Sequence, residues 1–349
     1  RIAELEREIE QLKAQRVTAQ VMAELPEPRK THIHRRGNFE DPGVEVTAGI
    51  PNVINVSVPD KVDRLSFAHS LVHSKHPLTA RVAVNRLWAH YFGRGLVGTT
   101  DDFGVRGELP SHPELLDWLA LELISSDWNL RHIETLILGS AAYQQSSVRR
   151  PELIKSDPEN RLIARMSRRR MAAEQIRDQA LAAAGILNRK IGGASVFPPQ
   201  PEGVGQFRDA TAGVWNNSGG ADQYRRSMYT FWQRMSPYPS MVIFDAPSRE
   251  RCEAQRSRTN TPLQALVTLN DPHFVDIARQ FADRIREHSD SKEQQIEFAF
   301  RCLLARSPTE REVRLFRQRL QQGEDLSQVD AWFLLAQVLL NLDETLTRE

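Results

Sequence analysis

The chain has 349 residues, which is enough to bury a large core and corresponds to one large domain or two ordinary ones. Its 46 Lys and Arg residues nearly balance its 45 Asp and Glu residues. The resulting net charge of +1 gives no long-range field that would attract nucleic acid or an anionic membrane. The chain also contains no apolar stretch near the roughly 20 residues that a bilayer span requires. We therefore expect a globular protein with neither a nucleic-acid partner nor a membrane span.

The N-terminal segment carries a short heptad pattern. Ile2, Leu5, Ile9 and Leu12 repeat with 3,4,3 spacing between charged residues, which predicts a coiled-coil or linker helix over residues 1–25. So short a helix needs a partner, and we expect it either to pack on the domain or to end a connection to an upstream domain. The chain opens on Arg1 without a signal peptide, which favours a fragment or a processed product.

The remaining chain, residues 26–349, is predicted to form one large, mostly helical domain. Alternation around turn signals predicts minor β segments near residues 31–58 and again at residues 226–233. Helix N-termini are predicted where capping residues precede apolar periodicity, at Ser111, Thr261, Asp271 and Ser307. A helix over 172–187 is followed by a long Gly- and Pro-rich loop at 192–220. The fold class is therefore mainly α, with a multi-helix globular core.

A first cluster of candidate functional residues combines Arg, His and carboxylate side chains around the predicted helix at 79–92. Its members are Arg81, Asn85, Arg86, His90, Asp101, Asp102, Glu108 and His112. Carboxylates beside Arg and His can form an acid/base pair because their neighbours move the pKa values apart. An Arg at the edge of a core also braces loops through bidentate bonds, and this is the favoured interpretation. If the cluster is catalytic, the candidates are Asp102, His112 and Arg81.

A second cluster follows two aromatic residues, Tyr229 and Trp232. Its members are Asp245, Arg249, Cys252, Arg256, Arg258, Thr259 and Asn260. Arginines beside an aromatic platform suit a sulfated or carboxylated sugar through bidentate bonds and ring stacking, but they equally suit an interdomain salt-bridge web. The candidate ligand-binding residues of both clusters are Asn85, Arg86, Tyr229, Trp232, Asp245, Arg249, Arg258 and Asn260.

Two further groups have simpler interpretations. Arg168-Arg169-Arg170, with Glu174, Arg177 and Asp178, could hold an anion, although an exposed helix of ion pairs is favoured. His69, His73 and His76 have a spacing that can bind zinc, but no local carboxylate completes the set, and a solvated histidine face is favoured. We predict no metal site.

The two cysteines, Cys252 and Cys302, are far apart in sequence. Two buried free thiols are favoured over one disulfide. Haem attachment requires a Cys-x-x-Cys-His run, and the sequence has none. The cofactor therefore stays unknown.

Several motifs together carry a family resemblance. They are Leu78–Trp88, Phe92–Val97, Asp101–Gly104, Ser111–Trp118 and Arg258–Leu266. The chain resembles domain of unknown function 1553, the C-terminal domain of planctomycete surface-domain, cytochrome c-like proteins, over roughly Pro28 to Leu342. It departs from the family pattern at Tyr143-Gln144-Gln145, where the usual order is Tyr-Arg-Gln.

The resemblance implies a secreted bacterial multidomain protein with a cytochrome c-like domain upstream, and hence a periplasmic or cell-surface location. It supplies no catalytic residues to transfer. The leading hypothesis is an accessory or interaction module in surface assembly or polysaccharide handling, whose partners are the upstream domains and an anionic polysaccharide. The alternatives are an enzyme acting on anionic polysaccharide and a docking module for redox partners.

Overall fold

The structure is a computed structural model that describes residues 1–14, 19–54, 56, 62–204, 215–233, 236–325 and 330–348. Within these ranges the chain forms α-helices and two small antiparallel sheets, which confirms the mainly α fold class. No helix in the described ranges is both long and apolar enough to cross a membrane. The chain divides into two compact units, Arg1–Ala80 and Arg81–Glu349. The boundaries expected from sequence, 1–25 and 26–349, stay a prediction.

The helices are α1 (Ile2–Ala14), α2 (Arg64–Leu71), α3 (Thr79–Phe92), α4 (Pro113–Ser125), α5 (Leu130–Gly139), α6 (Pro151–Ser156), α7 (Ala173–Ala183), α8 (Pro239–Ile243), α9 (Pro262–Asn270), α10 (Pro272–His288), α11 (Lys292–Leu304), α12 (Glu310–Asp325), α13 (Ala331–Leu340) and α14 (Asp343–Leu346). The strands are β1 (Thr31–His34), β2 (Pro42–Val46), β3 (Arg169–Arg170) and β4 (Thr347–Arg348).

The first unit contains the predicted heptad helix and a β-hairpin. β1 and β2 pair antiparallel within the region expected to be extended, with Thr31 opposite Val46. Gly43 is required in this hairpin because a Cβ atom there would lie 2.8 Å from the carbonyl oxygen of Ile33. Position 55 and positions 57–61, which belong to the same predicted β region, lie outside the described residues.

Helix α1 covers Ile2–Ala14 and is shorter than the helix predicted over residues 1–25, because residues 19–25 are not helical. Its apolar seam is not covered by the described residues. Ile2, Leu5, Ile9 and Leu12 are 50–76% exposed. The expectation that this helix packs back on the domain is therefore wrong for the described residues.

The core of the second unit is built around α10. Asp271 caps this helix by accepting a hydrogen bond from the His273 backbone N–H at 2.9 Å, and Pro272 occupies the first helical position, as the sequence predicted. Phe281 and Ile285 on its apolar face are fully buried. Helices α7, α9, α11 and α13 pack around α10. One continuous core therefore fixes the ends of α7 and α9, where the candidate site lies.

At three helix starts, the observed capping differs from the capping predicted from the sequence. His112, not Ser111, is the N-cap residue of α4, because Pro113 takes the first helical position. Thr261 precedes α9 but makes no side-chain cap bond. The third start lies two residues later than predicted, where the Thr309 hydroxyl accepts from the Glu312 N–H at 3.3 Å and the Glu312 carboxylate accepts from the Thr309 N–H at 2.7 Å.

Residues 226–233 do not form the predicted strand. Ser227–Tyr229 is a 3-10 turn, and β-type pairing is limited to isolated bridges from Arg225 to Asn188 and from Thr230 to Val196. The alternation of aromatic residues in this segment has a different cause, because Phe231 stacks on Phe197 of the neighbouring loop. Helix α13 begins at Ala331; Val329, whose apolar side chain would suit the same helix face, lies outside the described residues.

The described parts of the 192–220 loop pack on the core through aromatic side chains. Trp215 stacks on Tyr238 with a ring-centroid distance of 5.7 Å, and the Tyr238 hydroxyl donates to the Pro199 carbonyl at 2.7 Å. Burial raises the pKa of Tyr238 far above its usual value. Residues 205–214 of the loop lie outside the described residues.

The two cysteines are not paired. Cys252 is exposed and Cys302 is half-buried, where burial raises the pKa of its thiol. The interpretation as free thiols is confirmed, but the burial expected for Cys252 is wrong.

Candidate functional site

A cavity of about 380 Å³ in the second unit is lined by five arginines. We call it the arginine pocket. Its arginines are Arg169, Arg170, Arg256, Arg258 and Arg348. These arginines come from three segments that are far apart in sequence, near residues 170, 257 and 348. His90 of α3 also lines the pocket. The pocket therefore combines members of three clusters that the sequence kept separate.

A two-residue sheet brings two of these arginines together. In the pairing of β3 with β4, Arg169 lies opposite Arg348 and Arg170 opposite Thr347. The backbone N–H of Met171 then donates to the Leu346 carbonyl at 3.0 Å, which extends the contact. The sheet fixes the backbone of Arg169 and Arg348, and the side chains of both residues line the pocket.

A carboxylate positions the segment that carries Arg258. The Asp245 carboxylate accepts hydrogen bonds from the Thr259 backbone N–H at 2.7 Å and from the Thr259 hydroxyl at 2.8 Å. Asp245 itself has a φ of 61°, a left-handed conformation that needs support from surrounding structure. The Gln264 side chain donates to the Thr259 hydroxyl and to the Ile243 carbonyl. These bonds, and not helix capping, explain the Thr259 side chain.

The pocket arginines differ in their charge partners. Arg256 donates to both carboxylate oxygens of Glu174, at 2.9 and 3.0 Å. In contrast, Arg169, Arg258 and Arg348 form no ion pair with any carboxylate of the residues that the structure describes. Three guanidinium groups thus line one cavity without a direct ion pair to the described carboxylates, although Glu174 and Asp245 also line that cavity.

Burial and the neighbouring positive charges lower the pKa values of Arg169 and His90 in the pocket. Partial burial, followed by repulsion from Arg258 and Arg348, lowers the pKa of Arg169 to about 10. Burial, and then the charges of the same three arginines, lowers the pKa of His90, so its imidazole is held in the neutral form. A bound anion would offset the part of both shifts that comes from the neighbouring arginine charges. The pocket is therefore electrostatically suited to a ligand with negative charge.

The arginine pocket continues into a wider depression of about 1120 Å³, which we call the groove. The two share Met171, Glu174, Gln175 and Arg348 as lining residues. The groove is more mixed in charge, since Arg226 and Asp178 both line it. The pocket and the groove therefore adjoin each other at these four shared residues.

A family model described as "PSD1: Protein of unknown function (DUF1553)" matches residues 63–320, well over half of the chain. The chain belongs to this family. The matched range includes His90, Arg169 and Arg258, whereas Arg348 lies beyond it. No curated protein and no solved structure matches the chain.

Behind the pocket, a buried arginine connects α7 of the DUF1553 domain to the segment near residue 225. Arg177 of α7 is 2% exposed and donates to the carbonyl oxygens of Gln223 and Arg225 at 2.7 and 2.8 Å. Its Nε donates to Nε2 of His273 at 3.1 Å, which requires a neutral imidazole. Burial and the Arg177 charge accordingly lower the pKa of His273 to about 3. The exposed ion-pair helix favoured from sequence is therefore wrong for Arg177, which braces the wall of the groove.

The three candidate catalytic residues of the first cluster are engaged separately. Arg81 Nε donates to the Asp117 carboxylate at 2.6 Å. The Asp102 carboxylate accepts from the Gly104 backbone N–H at 2.8 Å, and His112 lies at the start of α4. None of the three lines the arginine pocket or the groove. The first cluster contributes only His90 to the candidate site.

Asn85 has the geometry of a brace. It is fully buried; its Nδ2 donates to the Val97 carbonyl at 3.0 Å, and its Oδ1 accepts from the Val97 N–H at 2.9 Å. Gly95 is required beside it, because a Cβ atom there would lie 2.5 Å from Asn85 Nδ2. The Asn85 side chain thus pins the turn that follows α3.

Nearby charges in the DUF1553 domain also hold loops. Arg94 donates to Glu108 at 2.7 Å and to Glu159 at 2.5 Å, so it links two distant segments. Arg86 and Asn260, both candidate ligand-binding residues, are exposed and line neither the pocket nor the groove.

The aromatic platform expected in the second cluster is already covered by arginines of the same chain. The Arg225 guanidinium lies 3.8 Å from the Tyr229 ring centre, and the Arg249 guanidinium lies 4.7 Å from that of Trp232. Neither ring lines the arginine pocket. Of this cluster, the pocket receives Arg258, Arg256 and Asp245.

Of the three histidines at 69, 73 and 76, His76 does not belong to a solvated face. His76 is 9% exposed, and its Nδ1 accepts from the backbone N–H groups of Leu78 and Thr79 at 3.2 and 3.1 Å. It therefore caps α3. Among the described residues, no group of three or more His, Cys, Asp or Glu side chains could hold a metal ion.

The residue that sequence reasoning missed is Arg348. It lies in a two-residue strand without a recognisable pattern, and its partner strand is far away in sequence. The nearest signal was the Arg168–Arg170 run, which marked one side of the pocket but could not identify the opposite side.

Proposed function

We propose that this DUF1553 domain is a binding module for an acidic polysaccharide, whose sulfate or carboxylate group is held in the arginine pocket. The observation that carries the proposal is the convergence of Arg169, Arg258 and Arg348 without carboxylate partners in the described residues. Following the family resemblance, the module acts outside the cytoplasm of a bacterium, beside a cytochrome c-like domain, in surface assembly or polysaccharide handling.

Burial and mutual repulsion penalise the charge of Arg169 in the free protein. A sulfate or carboxylate removes that penalty and accepts charge-assisted hydrogen bonds, which arginine can donate in pairs. Because β3 and β4 fix the backbone of two of the arginines, little further ordering is needed on binding.

The groove favours a chain with spaced charges over a densely charged polymer. Glu174, Asp178 and Glu344 line it together with Arg189 and Arg226. A polyphosphate or nucleic-acid backbone would place negative charges against these carboxylates. A saccharide chain with one acidic group in the pocket can instead present hydroxyl groups to them.

The test is calorimetric titration of the protein with three oligosaccharides of matched length, one sulfated, one uronic and one neutral. We expect binding of an acidic oligosaccharide and none of the neutral one. Arg258→Gln should lower the affinity about 10-fold or more, as expected for one charge-assisted contact. Arg168→Gln is the matched control, because it removes the same charge next to Arg169 while Arg168 is paired with Asp343 and does not line the pocket.

Equal losses in the two variants would mean that only overall charge matters, which would contradict the proposal. Binding of a short polyphosphate in preference to both acidic sugars would also overturn the saccharide assignment. Circular dichroism of each variant checks that the fold is retained.

His90 supports a second candidate function, an enzyme acting on a uronate polymer. A neutral imidazole beside arginines that neutralise a carboxylate can remove the adjacent C5 proton. In that reaction the C4–O bond breaks, the C4=C5 double bond forms, and the released oxygen takes up a proton. The ultraviolet absorbance of the unsaturated product would appear with the native protein and disappear in His90→Gln. Binding without product would leave the binding module as the function.

A further inference from the structure

Helix α1 presents an apolar seam that the described residues leave uncovered. The seam consists of Ile2, Leu5, Ile9 and Leu12, which lie on one face of a 13-residue helix and are at least half exposed. Apolar residues at such regular heptad spacing on a solvent-exposed helix indicate a partner helix. The charged residues around the seam identify that partner.

The order of the apolar residues is specific. In heptad terms the two isoleucines occupy the a positions and the two leucines the d positions. Ile at a with Leu at d favours a parallel two-stranded coiled coil over trimers and tetramers. This pattern is therefore self-complementary in a parallel pair of identical helices.

The charges beside the seam agree with the same arrangement. In a parallel pair, each g position faces the e position of the next heptad on the partner helix. Here Glu8 (g) would face Lys13 (e), and Arg1, the residue just before α1, falls at the g position that faces Glu6 (e), so both contacts are attractive. The bond from Lys13 to Glu10 within one helix is exposed and easily exchanged.

We propose that α1 pairs with α1 of a second copy of this chain in a parallel, in-register coiled coil. Four side chains from each helix bury less than the roughly 1,200 Å² typical of stable interfaces, so the pairing is weak and depends on protein concentration. This inference is independent of the proposed ligand.

The first test traps the pair by disulfide formation. Leu5→Cys is made in a Cys252→Ser background, because the native Cys252 thiol is exposed. In an in-register pair, the two introduced thiols face each other at the d position and should give a covalent dimer at a rate that rises with protein concentration. Arg7→Cys, on the opposite face of α1, is the matched control and should stay monomeric.

Equal dimer formation by Leu5→Cys and Arg7→Cys would overturn the proposal, since it would show random collision. Failure of Leu5→Cys to form dimers would do the same. Crosslinking that occurs only when Leu5→Cys is mixed with Ile9→Cys would overturn the parallel arrangement in favour of an antiparallel one.

The second test uses charge. In the Leu5→Cys protein, Glu8→Lys should slow dimer trapping about threefold to tenfold, because it opposes Lys13 of the partner copy. Adding Lys13→Glu should restore the rate. Glu4→Lys, which changes the same charge away from the seam, is the control. The same slowing in Glu4→Lys, or no rescue by Lys13→Glu, would contradict the g-to-e pairing.

Discussion

Replacing Arg169 by Gln is expected to stabilise the free DUF1553 domain while it weakens anion binding. Burial first, and then Arg258 and Arg348, lower the pKa of Arg169 from its ordinary value to about 10. Each pKa unit corresponds to about 1.36 kcal/mol of differential interaction, so the penalty on the charge is at most about 3 kcal/mol. Solvent screening reduces this, and we expect the free energy of unfolding to rise by about 1–2 kcal/mol.

The direction of this stability change follows from the linkage between protonation and folding. A folded pKa below the unfolded one means that the charged form of Arg169 opposes folding at all pH values below about 10, and that stability would rise as the pH increases above about 10. Other groups titrate in that range, so the substitution is the cleaner probe. A glutamine keeps most of the side-chain length and removes the charge.

The assay is urea unfolding of the native protein, Arg169→Gln and Arg168→Gln. Arg168 is the matched control because it neighbours Arg169 and carries the same charge, but its guanidinium donates to Asp343 at 2.7 Å. We expect Arg168→Gln to leave stability unchanged or slightly lower. A lower urea midpoint for Arg169→Gln than for the native protein, or equal shifts in both variants, would refute the reasoning.

Sulfate provides a complementary measurement. At constant ionic strength, replacing chloride by sulfate should raise the melting temperature of the native protein, because a ligand that binds only the folded state stabilises it. The rise should be smaller in Arg169→Gln. The substitution that stabilises the free protein would then weaken its response to sulfate, as expected where a site keeps destabilising charge for function.

Three further predictions concern other parts of the second unit. Asn85→Ala leaves the buried Val97 amide and carbonyl unpaired and should lower the free energy of unfolding by about 2–4 kcal/mol in urea; a loss below about 1 kcal/mol would contradict its role as a brace. Arg306 holds the pKa of Glu312 at about 2 against an ordinary 4.5, so its stabilisation is present above pH 4.5 and is lost as pH falls towards 2. Glu312→Gln should cost about 1–2 kcal/mol at neutral pH and flatten the acid part of the stability curve. An anion in the arginine pocket should raise the lowered pKa of His90, so binding takes up a proton and tightens as the pH falls below neutral; titrations in buffers of different ionisation enthalpy should show no such uptake in His90→Gln.

The sequence contained enough to predict the fold class and the family. Apolar periodicity and capping residues identify α10, whose Asp271 and Pro272 act locally, and the structure confirms that start. The capping box predicted at Ser111 failed because Pro113 determined the start of α4. Local signals thus located helices well, and errors arose where two local signals competed.

The candidate site was recognised only in fragments. Residue type alone showed that Arg169, Arg258 and His90 can bind or catalyse, but each was placed in a different cluster. Tyr229 and Trp232 were expected to form an exposed platform, yet arginines of the same chain cover them. A side chain's chemistry is local, whereas its availability depends on what packs against it.

The sequence by itself determined the helical content, the seam of α1 and the supply of arginines, because each is set by neighbours a few residues away. Only the tertiary structure decided which arginines are compensated. Arg177 is buried against carbonyl oxygens and Arg256 is paired with Glu174, while the pairing of β3 with β4 aligns Arg169 with Arg348. That pairing joins segments far apart in sequence. Since electrostatic energy depends on distance in space, the anion-binding character of the pocket arises only in the folded chain.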